Sequence, residues 1–355
     1  MSCKKFVWMN LTGMAGLLFV GAFIVFMADP FYHYHGPWFN LPVTLYNEIY
    51  QTAGVARHFE YDSVIIGSSM TENFRVSWFD EDFGWDTVKL CYEGARTDDL
   101  KAILEQVFEG ERQVGHVVLA IDDYQMVSDS TAAATERPEY LYNENPFDDV
   151  NYLFNRDALK GALKGIWDGV RGKETEIDDA YNFSEKYEFS KEQALRDARP
   201  FRENIMANPP TEETPENAYL QMCQNNLANL LPFVEEHPET EFIVFFSPYS
   251  ILNWEKKLLA GTLKAQLNAD AYVIRTFLSY DNVRVFYFQD EYDMITDLEQ
   301  YMDTSHYKEE YNHYIEQCMK NGKNELTEEN YRERIEKMYE IVSGYDYESV
   351  WEEGK

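Results

Sequence analysis

The fold is decided by Val64-Ile65-Ile66-Gly67-Ser68-Ser69, followed by Met70-Thr71-Glu72-Asn73. Three β-branched residues in a row read as a strand buried on both faces, and Gly-Ser-Ser with the polar stretch behind it reads as the turn that ends it. A parallel sheet buries its strands in this way, and in an open α/β sheet the carboxyl edge is where strand-to-helix turns converge. Ser69 is therefore expected at a sheet edge suited to a nucleophile.

Further strands are expected outward from this one, at Thr87 to Leu90, Val117 to Ile121, Glu241 to Phe246 and, last, Val283 to Phe288. Asn225 to Leu231 has helical apolar spacing before His237-Pro238-Glu239-Thr240 breaks it. The pattern predicts an α/β domain over 60–325, a parallel sheet flanked by helices, with a helical insertion at about 129–215 rich in tyrosines, acids and turn residues. Aromatics beside carboxylates suit sugar stacking, but such stripes more often build core. Glu328 to Ser343 reads as an amphipathic helix stopped by Gly344, opening a C-terminal segment 326–355.

Asp303-Thr304-Ser305-His306-Tyr307 near the end of the chain answers the Gly-Ser-Ser near its beginning. A serine hydroxyl is a weak nucleophile at neutral pH, so acyl-transfer enzymes set an imidazole beside it and a carboxylate behind the imidazole. Ser69, His306 and Asp303 can fill those roles, with His313 as the rival base. Each block alone is short, and Ser-Ser or Asp-x-x-His also caps helices. Their order and the αβ pattern between them carry the reading.

These blocks resemble the SGNH/GDSL hydrolase superfamily, and in particular a membrane-anchored bacterial branch with Gly-Ser-Ser where better-known members have Gly-Asp-Ser. The resemblance spans about 60–320. It implies a three-layer, flavodoxin-like sheet, Ser69 as nucleophile, and Asp303 and His306 as the rest of a triad. It also implies an oxyanion site from the N–H groups of Ser69 and of Gly94, within Leu90-Cys91-Tyr92-Glu93-Gly94-Ala95. Where the family carries an asparagine as a further oxyanion donor, this chain has Asp122-Asp123. An ionised carboxylate there would repel the developing charge, and losing one donor costs about two to three orders of magnitude in rate in a well-studied protease. Four outcomes stay open: a carboxylate turned away, one held neutral by burial, one binding a substrate hydroxyl or amine, or a silent scaffold. Asp122, Asp123, Ser247 and Tyr249 are candidates for substrate binding, with Trp254 beside them; a strand-ending turn with solvated carboxylates competes for the acidic pair, and ordinary packing is the preferred reading for the last three.

Phe6 to Met27 is a run of twenty-two residues without a charge, with Lys4 and Lys5 before it and Asp29 after it. About twenty residues cross a bilayer core of roughly 30 Å. The expected organisation is a cytoplasmic tail at 1–5, one transmembrane anchor at 6–27, a juxtamembrane connector at 28–59, and the rest outside the cell membrane. A cleaved signal peptide is the rival, but the apolar core is long and no Ala-x-Ala precedes Asp29.

With 31 basic and 63 acidic residues the chain carries a formal charge of −32, which argues against nucleic acid or polyanions held by bulk electrostatics. Cys91, Cys223 and Cys318 lie beyond the anchor without metal-site spacing; buried thiols are expected in preference to a Cys223–Cys318 bond. His33 and His35, without a third ligand, read as interfacial aromatics. No metal or cofactor is expected.

The expected activity is that of an extracytoplasmic serine esterase or O-acyltransferase acting on ester groups of a surface polysaccharide or other envelope polymer. The resemblance to proteins of the teichoic acid D-alanylation and alginate acetylation type implies a membrane-bound O-acyltransferase as partner. A catalytically inactive binding or assembly protein is the first alternative, and a lipase or lysophospholipase the second.

Overall fold

A computed structural model describes residues 2–39, 41–109, 112–131, 136–175 and 177–353. The chain divides into two compact units: Met1–Glu60 with Glu136–Tyr181, and Tyr61–Thr135 with Asn182–Lys355.

The larger unit is built on one six-stranded sheet of β1 (Ser63–Gly67), β2 (Thr87–Cys91), β3 (His116–Ile121), β4 (Glu241–Phe246), β5 (Val283–Tyr287) and β6 (Glu325–Leu326). Its order is β2-β1-β3-β4-β5-β6. The first five strands are parallel, in the register Val64↔Val88, Val64↔Val117, Val117↔Phe242 and Phe242↔Val283. Strands buried along nearly their whole length explain the mostly apolar sequences of β1, β3 and β4, while β2 also buries Lys89. The order β2-β1-β3-β4-β5 is that of one of the two common doubly wound sheets, whose connections diverge between β1 and β3 and open a crevice there.

The sheet does not end where the sequence suggests. β6 pairs antiparallel with β5, through Val285↔Leu326 and Phe286↔Glu325. Two residues carry no periodicity, and what pins them is a fork between Arg284 and Glu325, Nε–Oε1 2.9 Å and Nη2–Oε2 2.8 Å.

The core packs helices against this sheet, with Phe74, Phe245, Trp254, Phe286, Met338 and Trp351 in one cluster. Phe245 sits near the carboxyl end of β4, fully buried, with the Phe74 ring edge-on at 5.7 Å. Phe245→Ala is expected to cost about 3–5 kcal/mol by lost transfer energy and cavity formation, read as a lowered urea midpoint of the detergent-solubilised chain.

The C-terminal segment belongs to this core. Its helix runs Tyr331–Gly344, with Gly344 inside it and extended Tyr345 as the cap, and a further helix follows at Tyr347–Glu353. Trp351 donates its indole N–H to Glu255 Oε2 at 2.9 Å, while Arg202 Nε holds Glu255 Oε1 at 2.8 Å. Burial pushes the Glu255 carboxyl above its ordinary range, against the pull of these two donors.

The smaller unit gathers what the sequence divides into anchor, connector and part of the insertion. Its first helix, Cys3–Ala28, is long and apolar enough to cross a membrane. At its end Asp29 adopts a left-handed conformation, φ 36°, and its carboxylate collects the N–H groups of His33, Tyr34 and His35 at 3.0, 2.8 and 2.8 Å and the Tyr152 hydroxyl at 2.7 Å. That last bond joins residues 123 positions apart. Of the stretch 129–215, residues 136–181 thus pack with 1–60, and the part from Asn182 onward packs with the sheet. His33 Nε2 lies 3.1 Å from Asp149 Oδ1, and the His35 ring stacks on Trp38 at 3.5 Å between centroids.

Candidate active site

β1 ends at Gly67, and the chain turns at once into a 3-10 helix at Ser69–Thr71. Gly67 is required by space: a Cβ there would stand 2.6 Å from Thr71 Cγ2 and 2.8 Å from Ala120 Cβ. Ser68 caps the turn, its hydroxyl oxygen accepting from Met70 N–H at 3.3 Å. Ser69 is thereby left free of the capping duty that Ser-Ser first suggests. It stands at the carboxyl end of β1, beside the crevice.

The partner segment is a tight loop closed by a bridge between Tyr301 and Tyr307. Asp303 Oδ1 accepts from the N–H groups of Ser305 and His306 at 2.7 and 2.8 Å. Its other oxygen takes His306 Nδ1–H at 2.6 Å. Nδ1 being the donor, Nε2 accepts, and it meets Ser69 Oγ at 2.8 Å. Residues 237 positions apart in sequence thus form one continuous chain of hydrogen bonds.

The electrostatics of this chain are coherent. Burial works against a charged imidazole at His306, but the Asp303 hydrogen bond and charge outweigh it and raise its pKa above the usual value. Burial likewise works against ionised Asp303, and the hydrogen bonds from His306 and Ser305 bring its pKa below the usual value.

Other elements hold both loops. Asn312 donates to the Met70 carbonyl at 3.0 Å and Asn73 to the Tyr307 carbonyl at 3.2 Å. Ser250 gives both its N–H and its hydroxyl to Thr304 O, at 3.2 and 2.8 Å. The Phe183 ring stands edge-on to the His306 imidazole at 5.6 Å. None of these residues carries a local signal, since each acts on a partner far away in sequence.

Ser69 and His306 open on a cavity of about 300 Å³, whose wall also includes Glu93, Gly94, Arg96 and Tyr124. Gly94 has φ 66°, a conformation that suits glycine and sets the turn after β2. Ser69 and Gly94 both line the cavity, and among the described residues no backbone carbonyl claims either amide.

The acidic pair is resolved residue by residue. Asp122 is fully buried and is not part of the cavity wall. One carboxylate oxygen accepts from the Ser68 hydroxyl and the other from Tyr249 OH at 2.5 Å. Burial raises its pKa, opposed by those two hydroxyls. Asp123 does line the cavity, but its carboxylate is held by Lys257 Nζ at 2.6 Å and Asn253 Nδ2 at 2.8 Å.

Of the other candidates, Tyr249 lies on the wall with its hydroxyl committed to Asp122. Ser247 and Trp254 are fully buried and do not reach the cavity. The pocket candidacy of Ser247 is corrected, and Trp254, carried on the helix Ile251–Leu259, belongs to the core cluster, as ordinary packing predicts. His313, the rival base, stacks on Trp78 at 4.5 Å with about half its side chain exposed, and it takes no part in the Ser69 chain. Cys91, Cys223 and Cys318 are buried free thiols.

No protein-family model and no curated protein matches this chain.

Proposed function

We propose that the protein is a membrane-anchored serine esterase or O-acyltransferase of the SGNH/GDSL kind, acting on ester groups of an envelope polymer outside the cell. The observation that carries this reading is the unbroken chain Ser69 Oγ, His306, Asp303 at the carboxyl end of β1, opening on a cavity that Gly94 also lines.

In the proposed reaction His306 Nε2 takes the Ser69 proton as Oγ attacks the ester carbonyl carbon. The carbonyl oxygen, now negative, is received by the N–H groups of Ser69 and Gly94. On collapse the carbon–oxygen ester bond breaks, and the leaving alcohol departs with the proton held by His306. Water or a polymer hydroxyl then attacks acyl-Ser69, giving its proton to His306; the bond from the acyl carbon to Ser69 Oγ breaks, releasing the acid or the new ester, and His306 returns the proton to Oγ. Asp303 keeps Nδ1 protonated throughout and stabilises the imidazolium. Asp122 stays out of the oxyanion's way, because both of its oxygens face internal hydroxyls.

The Cys3–Ala28 helix, long and apolar enough to cross a membrane, supports the anchor in this reading, with Lys4 and Lys5 on the cytoplasmic side by the positive-inside tendency. A membrane-bound O-acyltransferase is the partner this arrangement suits.

A cavity of about 300 Å³ is at the lower end of ligand-site volumes and fits a short acyl group. Acetyl esters are accordingly expected to be turned over at least about tenfold faster than long-chain esters, the loss of one well-filled contact being of that size. A preference for long chains would favour lipase action instead.

The deciding experiment is labelling of the purified chain with a small fluorophosphonate and peptide mapping. Adduct at Ser69, lost in His306→Ala, is the expected result. A folded chain that takes no label would favour an inactive assembly protein.

A further inference from the structure

The helix Arg156–Val170, in the smaller unit, has two contrasting faces. Ala158, Gly161 and Ala162 are buried, and the helix packs against the first helix of the same unit. The contact lies near the exit of that first helix: a Cβ on Gly161 would stand 2.9 Å from Pro30 Cβ. Leu163, Ile166, Trp167 and Val170, at the i, i+3, i+4, i+7 spacing of one helical face, point outward and are 52%, 38%, 56% and 78% exposed.

Among the described residues this stripe stays exposed, and lysines and arginines lie beside it. Residues 156–173 carry five bases, Arg156, Lys160, Lys164, Arg171 and Lys173, against two acids, Asp157, paired with Lys160, and Asp168, beside Lys164 and Lys173, with Glu174 next in the chain. Arg171 lies over the Trp167 ring with Cζ 4.5 Å from its centroid. Exposed large hydrophobic side chains are concentrated in the same unit: among the described residues outside the Cys3–Ala28 helix, ten belong to the smaller unit and six to the much longer sheet unit. Trp38 and Phe39, just beyond the exit of the first helix, are among the ten.

We propose that the Arg156–Val170 helix lies in the headgroup region of the bilayer that the Cys3–Ala28 helix crosses, as a second and non-spanning membrane contact. An apolar stripe with tryptophan, edged by lysine and arginine, is the composition of interfacial helices, and the basic flanks complement an anionic lipid surface. The inference rests on reading Cys3–Ala28 as a membrane anchor. A surface helix packed on a transmembrane one fixes the unit's tilt and depth, which a single helix leaves free to rotate.

The test uses the full chain with Cys3→Ser, reconstituted in phosphatidylcholine nanodiscs with or without phosphatidylglycerol. An environment-sensitive fluorophore is placed at Phe19→Cys, Trp167→Cys or Ser279→Cys, the three native cysteines that remain being buried. Quenching by spin-labelled lipids is then compared. Quenching at positions 19 and 167 several-fold above that at 279, stronger at 167 with phosphatidylglycerol present, is the expected result. Quenching at 19 with a water-like signal at 167 overturns the proposal, leaves the anchor standing, and assigns the stripe to a protein partner. A water-like signal at both positions removes the anchor reading as well.

Discussion

Ser69→Ala is expected to lower ester turnover by about six orders of magnitude, the size of effect seen when the nucleophile of a serine hydrolase is removed. The hydroxyl meets the His306 base and stands at the carboxyl end of β1, on a cavity that Gly94 also lines. The substitution is nearly silent structurally, because the turn is capped by Ser68 and clamped by Asn312, neither of which uses Ser69 Oγ. Thermal unfolding within about 0.5 kcal/mol of wild type, the usual range for a substitution that breaks no buried contact, with loss of activity and of fluorophosphonate labelling, would separate a catalytic role from a folding one. His306→Ala should be equally severe and His313→Ala without effect. Full activity in a Ser69→Ala preparation free of other esterases would sink the assignment.

Asp303→Asn is expected to lower kcat by about four orders of magnitude, as when the carboxylate of a serine protease triad is amidated. An amide can donate to His306 Nδ1 but favours the wrong tautomer, leaving Nε2 protonated and unable to accept from Ser69. The pH profile gives a second readout. Burial depresses the imidazole and Asp303 more than reverses it, so His306 must lose a proton above its ordinary pKa of 6.5 before it can act as base. The acid limb of wild-type kcat/KM therefore lies above pH 6.5, with activity rising as pH increases through it. In Asp303→Asn the opposing burial remains and the limb moves down. Stability follows the same linkage with its own signs. The His306 contribution is full below the unfolded pKa and is lost as pH rises through the folded value. The Asp303 contribution is present above its unfolded pKa and is lost as pH falls through the folded one. An unshifted acid limb would mean that Asp303 does not govern the imidazole.

The strands are legible because each is rich in apolar and β-branched residues buried in a parallel sheet, from Val64-Ile65-Ile66 to Val283-Arg284-Val285, where Arg284 alone is charged. β6 was not, since two residues have no pattern and an Arg284–Glu325 fork supplies their register. The connector and the first half of the insertion were read as separate pieces. Their union depends on Asp29 and Tyr152 meeting across a separation that no local rule spans.

The same division holds at the site. Sequence alone determined the residue types and their order: a serine after the first strand of the sheet, Asp-x-x-His near the end, and one helix apolar enough for a membrane. These are properties of short windows, where strand burial, turn chemistry and apolar length act locally. Only the tertiary structure decided that Asp122 is withdrawn into bonds with Ser68 and Tyr249, that Ser247 and Trp254 face the core, and that His306 rather than His313 meets Ser69. Each of those outcomes is a contact between distant segments, and the energy of such a contact exists only once the sheet has brought its partners together.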